Sequence, residues 1–156
     1  MRAVRLIIFV GALWLSGVAA AALTPAASVS SSPSQAGARP VVLTLHLHYQ
    51  MQCGYPGQGP VTIDFPLRMQ LPRTIAAGSV LVDGKPTTRV TVSHNRVNVA
   101  LRRRSGVICD ILGPGTLTIV FGHAADLGNP SRAGSYVVTV RCGSLRLVAR
   151  LVIKPA

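Results

Sequence analysis

The chain has 156 residues, 49% of them apolar, with 16 Lys or Arg against 4 acids, a formal net charge of +12 at neutral pH. All the acids are Asp and Glu is absent, which leaves little material for paired-carboxylate catalysis or for a calcium site built from several oxygens. The length fits one domain plus a leader, and the richness in Val, Thr, Gly and Pro favours strands and turns over helices.

Arg2 and Arg5 precede an apolar run over residues 6–18, and small residues follow to Ala22. A basic start, a short apolar core and an Ala-rich exit predict a secretory signal peptide over residues 1–22. The alternative is an uncleaved anchor, although Gly11, Ser16 and Gly17 interrupt the apolar core. Residues 23–40 are mostly Ala, Ser, Pro and Gln. Such a composition buries too little surface to offset its ordering entropy, so it predicts a disordered linker.

The domain is expected over residues 41–156. Residues 41–51 alternate, with Leu43, Leu45 and Leu47 on one face and Thr44, His46 and His48 on the other. Val61, Ile63, Phe65 and Leu67 predict the inward face of the next strand, which Pro66 ends or places at an edge. Val80 and Val82 lead into the turn Asp83-Gly84. Val90 and Val92, then Val97, Val99 and Leu101, flank a turn at residues 93–96. Leu117, Ile119 and Phe121 precede a loop holding Gly128, Asn129, Pro130 and Gly134. Tyr136, Val138 and Val140 resume the alternation, and Cys142-Gly143-Ser144 reads as a tight hairpin. In the last strand Leu145, Leu147, Ala149, Leu151 and Ile153 share one face, with Arg146 and Arg150 on the other.

About seven or eight strands joined by short turns predict an all-β antiparallel sandwich. An internal repeat accompanies them. Cys53-x-x-x-Gly57-x-Gly59-x-Val61-Thr62-Ile63-x-Phe65 matches Cys109-x-x-x-Gly113-x-Gly115-x-Leu117-Thr118-Ile119-x-Phe121 at every quoted position. Counting strand directions puts the loops of Cys53 and Cys109 at one end of the sandwich, together with Cys142.

From Pro60 to Val140 the chain resembles the immunoglobulin-like β-sandwich modules of secreted bacterial surface proteins. The matching residues are Ile63 to Pro66, Ser79 to Gly84, Gly115 to Phe121, and Asn129-Pro130 followed by Gly134-Ser135-Tyr136. The resemblance implies a non-catalytic module of the cell envelope. This chain differs in having one copy, three cysteines and a strongly basic balance.

Export places the cysteines in an oxidising compartment, so a disulfide is expected. Cys53–Cys109 is preferred because it joins the matched loops; it closes about 57 residues and stabilises by roughly 4 kcal/mol on the chain-entropy estimate. Cys109–Cys142 is the alternative, and the odd cysteine either stays buried or links two chains. His46 and His48, at i and i+2, offer two imidazoles on one face, with His94, His123 and Asp110 as the only additions for a metal; exposed strand histidines are the alternative. Arg102, Arg103 and Arg104 form a basic run suited to forked contacts with phosphate or carboxylate, or simply to solvent. No aromatic interleaves with that run, which argues against specific nucleic-acid recognition. No C-x-x-C and no G-x-S-x-G occurs.

These residues lead to an exported, cofactor-free, non-catalytic binding or structural module of the envelope. The alternative is docking on anionic envelope polymers or lipid headgroups through Arg102, Arg103 and Arg104 with Arg146 and Arg150. A His-based metal carrier is a further alternative. The expected partner is an envelope protein or an anionic polymer, with membrane contact only through an uncleaved leader.

Overall fold

A computed structural model describes residues 26–50, 60–101, 114–143 and 145–156. These residues contain ten strands: β1 (Ala26–Ser32), β2 (Val42–Gln50), β3 (Val61–Asp64), β4 (Val80–Val82), β5 (Lys85–Pro86), β6 (Val90–Ser93), β7 (Arg96–Val99), β8 (Pro114–Phe121), β9 (Gly134–Cys142) and β10 (Leu145–Ile153). Two single 3-10 turns, Ala77–Ser79 and His123–Ala125, are the only helical segments among the described residues. The expected signal peptide lies outside the described residues.

The strands form two antiparallel five-stranded sheets, β1-β2-β8-β4-β5 and β10-β9-β3-β7-β6. Alternation sets their inner faces. Leu43, Leu45, Leu47, Leu117, Ile119 and Phe121 of the first sheet are buried, as are Val61, Ile63, Val97, Val99, Val138, Val140 and Leu151 of the second. Each such side chain contributes about 1.5–3 kcal/mol through area removed from water. Register matches residues of like face: Leu45 lies opposite Ile119 and Ile63 opposite Val97. A slip of one residue would turn these faces outward.

Three turns follow directly from local chemistry. Asp83 and Gly84 both adopt positive φ, 49° and 75°, in the two-residue β4–β5 hairpin, as an Asp-Gly turn requires. The Asp83 side chain then accepts from the Thr118 backbone N–H at 2.9 Å, which ties the hairpin to β8. His94, at φ 54°, turns β6 into β7, and Asn95 Nδ2 donates to the Phe65 carbonyl at 2.7 Å. Gly143, at φ 56°, closes β9 on β10, with Cys142 opposite Leu145.

Two expectations need correction. The segment over residues 23–40 is no disordered linker from Ala26 onward. β1 pairs with β2 over seven residues, and the domain therefore starts before residue 41. Its backbone ladder, with Ala27 and Val29 half-buried against the core, offsets the ordering entropy that its small side chains alone would not. After β1 the chain crosses to the other sheet, where Ala36 N–H donates to the Lys154 carbonyl and Lys154 N–H to the Ser34 carbonyl, each at 2.9 Å. The second correction is Leu67. It is 86% exposed, because the chain turns at Pro66, whose carbonyl accepts from Met69 N–H at 2.9 Å, and Met69 enters the core instead.

The topology has an internal two-fold relation. Exchanging each strand for the one five places along converts the order 1-2-8-4-5 into 6-7-3-9-10, which is the second sheet read from its other edge. Each five-strand half places four strands in one sheet and its middle strand, β3 or β8, in the other. The repeat seen in the sequence falls on those two central strands. Phe65 and Phe121 occupy its equivalent positions, and their rings meet edge to face, 6.0 Å between centroids at 75°. The connections after them also pair, since Gln70 and Gly128 exchange two backbone hydrogen bonds of 2.9 Å.

Candidate anion-binding face

The outer face of the second sheet is assembled from alternate residues. β10 presents Arg146, Val148, Arg150 and Val152, and β9 presents Val137, Thr139 and Arg141. β3 adds Thr62 and Asp64, and β7 adds Arg96 and Asn98. Register turns these into rows. Arg146, Arg141, Thr62 and Asn98 lie side by side, and Val148, Thr139, Asp64 and Arg96 form the next row. Arg150 then stands opposite Val137.

Among the described residues Asp64 is the one carboxylate on this face. Arg96 Nε donates to its Oδ1 at 2.6 Å, and Arg141 Nη2 approaches Oδ2 at 3.0 Å. The latter contact is an ion pair without hydrogen-bond alignment. The Asp64 side chain is only 17% exposed, whereas both arginines are about half exposed. Beside it, Thr62 Oγ1 donates to Asn98 Oδ1 at 2.8 Å, and Asn98 Nδ2 to Thr91 Oγ1 at 3.3 Å. Arg141 and Arg146 face each other across adjacent strands. Like charges so placed oppose folding and favour a bound anion, which guanidinium forks hold well. Among the described residues, four arginines against one carboxylate give the face a positive balance.

The opposite outer face differs in kind. It carries Ser28, Ser30, Thr44, His46, His48, Thr116 and Thr118. His46 and His48 are exposed, and His46 Nδ1 lies 3.2 Å from Thr118 Oγ1. His94 sits in the β6–β7 turn and His123 in the 3-10 turn after β8. Among the described residues no three His, Cys or Asp come together for a metal. Asp110 lies outside the described residues.

No protein-family model and no curated protein matches the sequence. Among solved structures, the crystal structure of BslA, described as a bacterial hydrophobin, is similar with a TM-score of 0.50 and 15% identity. The match covers 85% of this chain and 100% of that one. At this identity the likeness concerns the fold.

Arg146 and Arg150, expected as anion contacts, are exposed on one face as alternation requires. Arg102, Arg103 and Arg104 lie outside the described residues. So do Cys53 and Cys109; Cys142 is buried on the inner face at the end of β9. Arg96, Arg141 and Asp64 were not expected to join the face. For Arg141 a signal existed, since buried Val138, Val140 and Cys142 put it outward. Its meeting with Arg96 depends on β3 lying between β7 and β9, which local sequence does not encode.

The other described carboxylates have structural tasks. Arg39 Nε donates to Asp126 Oδ1 at 2.9 Å and its Nη2 to Oδ2. These hydrogen bonds hold the Asp126 carboxyl below the usual carboxylate range and push the Arg39 guanidinium up. Asn129, fully buried, ties the loop after β8 to the crossing segment: its Nδ2 donates to the Pro33 and Gln35 carbonyls, each at 2.9 Å.

Proposed function

We propose that this chain is an exported, non-catalytic, immunoglobulin-like module of the bacterial cell envelope that works by contact with an anionic component. The observation that carries the reading is the arginine face of the second sheet, with Arg141 and Arg146 side by side in one row, Arg150 two rows further along, and Asp64 the one carboxylate there among the described residues. The five strands of the opposite sheet hold no arginine, and Lys85 in β5 is their one lysine. The structural roles of Asp64, Asp83 and Asp126 support a contact-making module over a catalytic one.

The immunoglobulin-like part of the reading rests on strand order. β1-β2-β8-β4 and β10-β9-β3 have the order A-B-E-D and G-F-C of constant-type immunoglobulin domains, with β5, β6 and β7 inserted before the fifth strand. The predicted leader supports an extracellular setting.

The test is fractionation of cells producing the full chain, with mass spectrometry of its N-terminus and salt extraction of the envelope. The expected result is a chain shortened near Ala22, held in the envelope and released by salt. R146Q/R150Q should release at lower salt. A full-length cytoplasmic chain, or variants that elute with the wild type, would overturn the reading.

A further inference from the structure

We propose that the partner of this face is the surface of an anionic lipid bilayer, an inference that rests on the anion-binding reading and names its ligand class. Four large apolar side chains are exposed among the described residues, and three of them, Val137, Val148 and Val152, are on this face at 51%, 54% and 60% exposure. Their placement centres on Arg150. Val148 and Val152 stand two residues before and after it on β10, and Val137 stands directly across from it on β9.

That arrangement gives Arg150 an apolar surround. Guanidinium stems lie along neighbouring apolar surface while their heads reach outward to charged partners. A ligand that offers only phosphate would use the arginines and leave the valines in water. A bilayer surface offers phosphate and glycerol–acyl surface at adjoining depths. Binding to it therefore grows with both apolar area and positive charge. The outward positions of β9 and β10 hold no Trp or Tyr, the aromatic anchors common at protein interfaces. A second copy of the chain is disfavoured, since stacking two such faces brings Arg141, Arg146 and Arg150 against their own kind.

The experiment is co-sedimentation of the full chain with phosphatidylcholine vesicles with and without phosphatidylglycerol, and, separately, binding to soluble polyphosphate. Three variants accompany the wild type. R146Q/R150Q removes charge from the face. V137T/V148T/V152T keeps β-branching and strand preference while replacing methyl groups with hydroxyls. K85Q/R73Q removes the same charge from exposed positions elsewhere. Any contribution of the leader is common to all four proteins, and thermal melts establish that each is folded.

At about five-fold per arginine, R146Q/R150Q should weaken binding to phosphatidylglycerol vesicles by roughly 25-fold. The triple valine variant should weaken vesicle binding by about ten-fold and leave polyphosphate binding unchanged. K85Q/R73Q should stay within about two-fold of the wild type, because charges off the contact surface act only at long range. If the valine variant binds vesicles as tightly as the wild type while R146Q/R150Q does not, the ligand is an anionic polymer. The lipid inference then falls and the anion reading stands. If R146Q/R150Q binds vesicles and polyphosphate like the wild type, both fall.

Discussion

Phe65 and Phe121 meet edge to face across the sandwich, and each is the residue that ends the matched segment of its own half. Their contact joins the two central strands, β3 and β8, that the halves exchange. Replacing either ring with Ala should cost about 3–5 kcal/mol, since both are buried and the cavity cannot close completely. The double variant should fall short of the sum by roughly 0.5–1.5 kcal/mol, the share carried by the ring pair. Denaturant unfolding of the four proteins measures this. Strict additivity would mean that the halves are coupled through other residues.

Asn129 is the second tie between halves, because the loop after β8 holds the crossing segment that follows β1. Asn129→Ala should destabilise by about 1–3 kcal/mol by leaving the Pro33 and Gln35 carbonyls without this donor. The loss should be local as well as global. Amide exchange in β1 and in residues 34–38 should quicken more than in β9 or β10, because the Asn129 hydrogen bonds run to Pro33, Gln35, Ala38 and Gln70. Uniform acceleration through the chain would contradict this placement.

Acid should act on the Arg39–Asp126 pair in a defined direction. Arg39 holds the Asp126 carboxyl below its ordinary range. The contribution of this group to stability is therefore present above the unfolded-state carboxylate range and is lost as pH falls through the lowered folded-state value. Both side chains are exposed, so the effect is small and screened by salt. Arg39→Gln should move the Asp126 titration upward in a carboxyl NMR series, and added salt should narrow the difference. An unmoved titration would remove the pair from the account.

Large alternating aliphatics made most of this fold legible. Leu43, Leu45 and Leu47 on β2 and Leu147, Leu151 and Ile153 on β10 announce an inner face from spacing alone, and all are buried. β1 was hidden because an edge strand needs little apolar content: Ala27 and Val29 suffice once β2 supplies the ladder. Leu67 continued the pattern of β3, but a turn at Pro66 outweighed periodicity there. The two-fold relation left one sequence trace, the segment ending in Phe65 and Phe121, because only the central strands keep the same side chains. On the basic face, alternation reveals Arg146 and Arg150. The convergence of Arg96 and Arg141 on Asp64 arises from long-range strand order, and no window of sequence contains it.

Asp64 sets stability and binding against one another on that face. It pairs with both Arg96 and Arg141 in the folded chain, offsets one of their two charges, and so weakens the positive field that an anionic surface would meet. Asp64→Asn keeps the shape of the side chain and removes its charge. The variant should lose about 1 kcal/mol of stability, since the carboxylate is largely shielded and touches two guanidinium groups. Its affinity for phosphatidylglycerol vesicles should rise about five-fold, the effect of one added positive charge at the surface. Thermal melts and vesicle co-sedimentation read the two quantities independently. Movement in the same direction would show that Arg96 and Arg141 need Asp64 to hold them in a binding geometry, and that the carboxylate belongs to the site instead of opposing it.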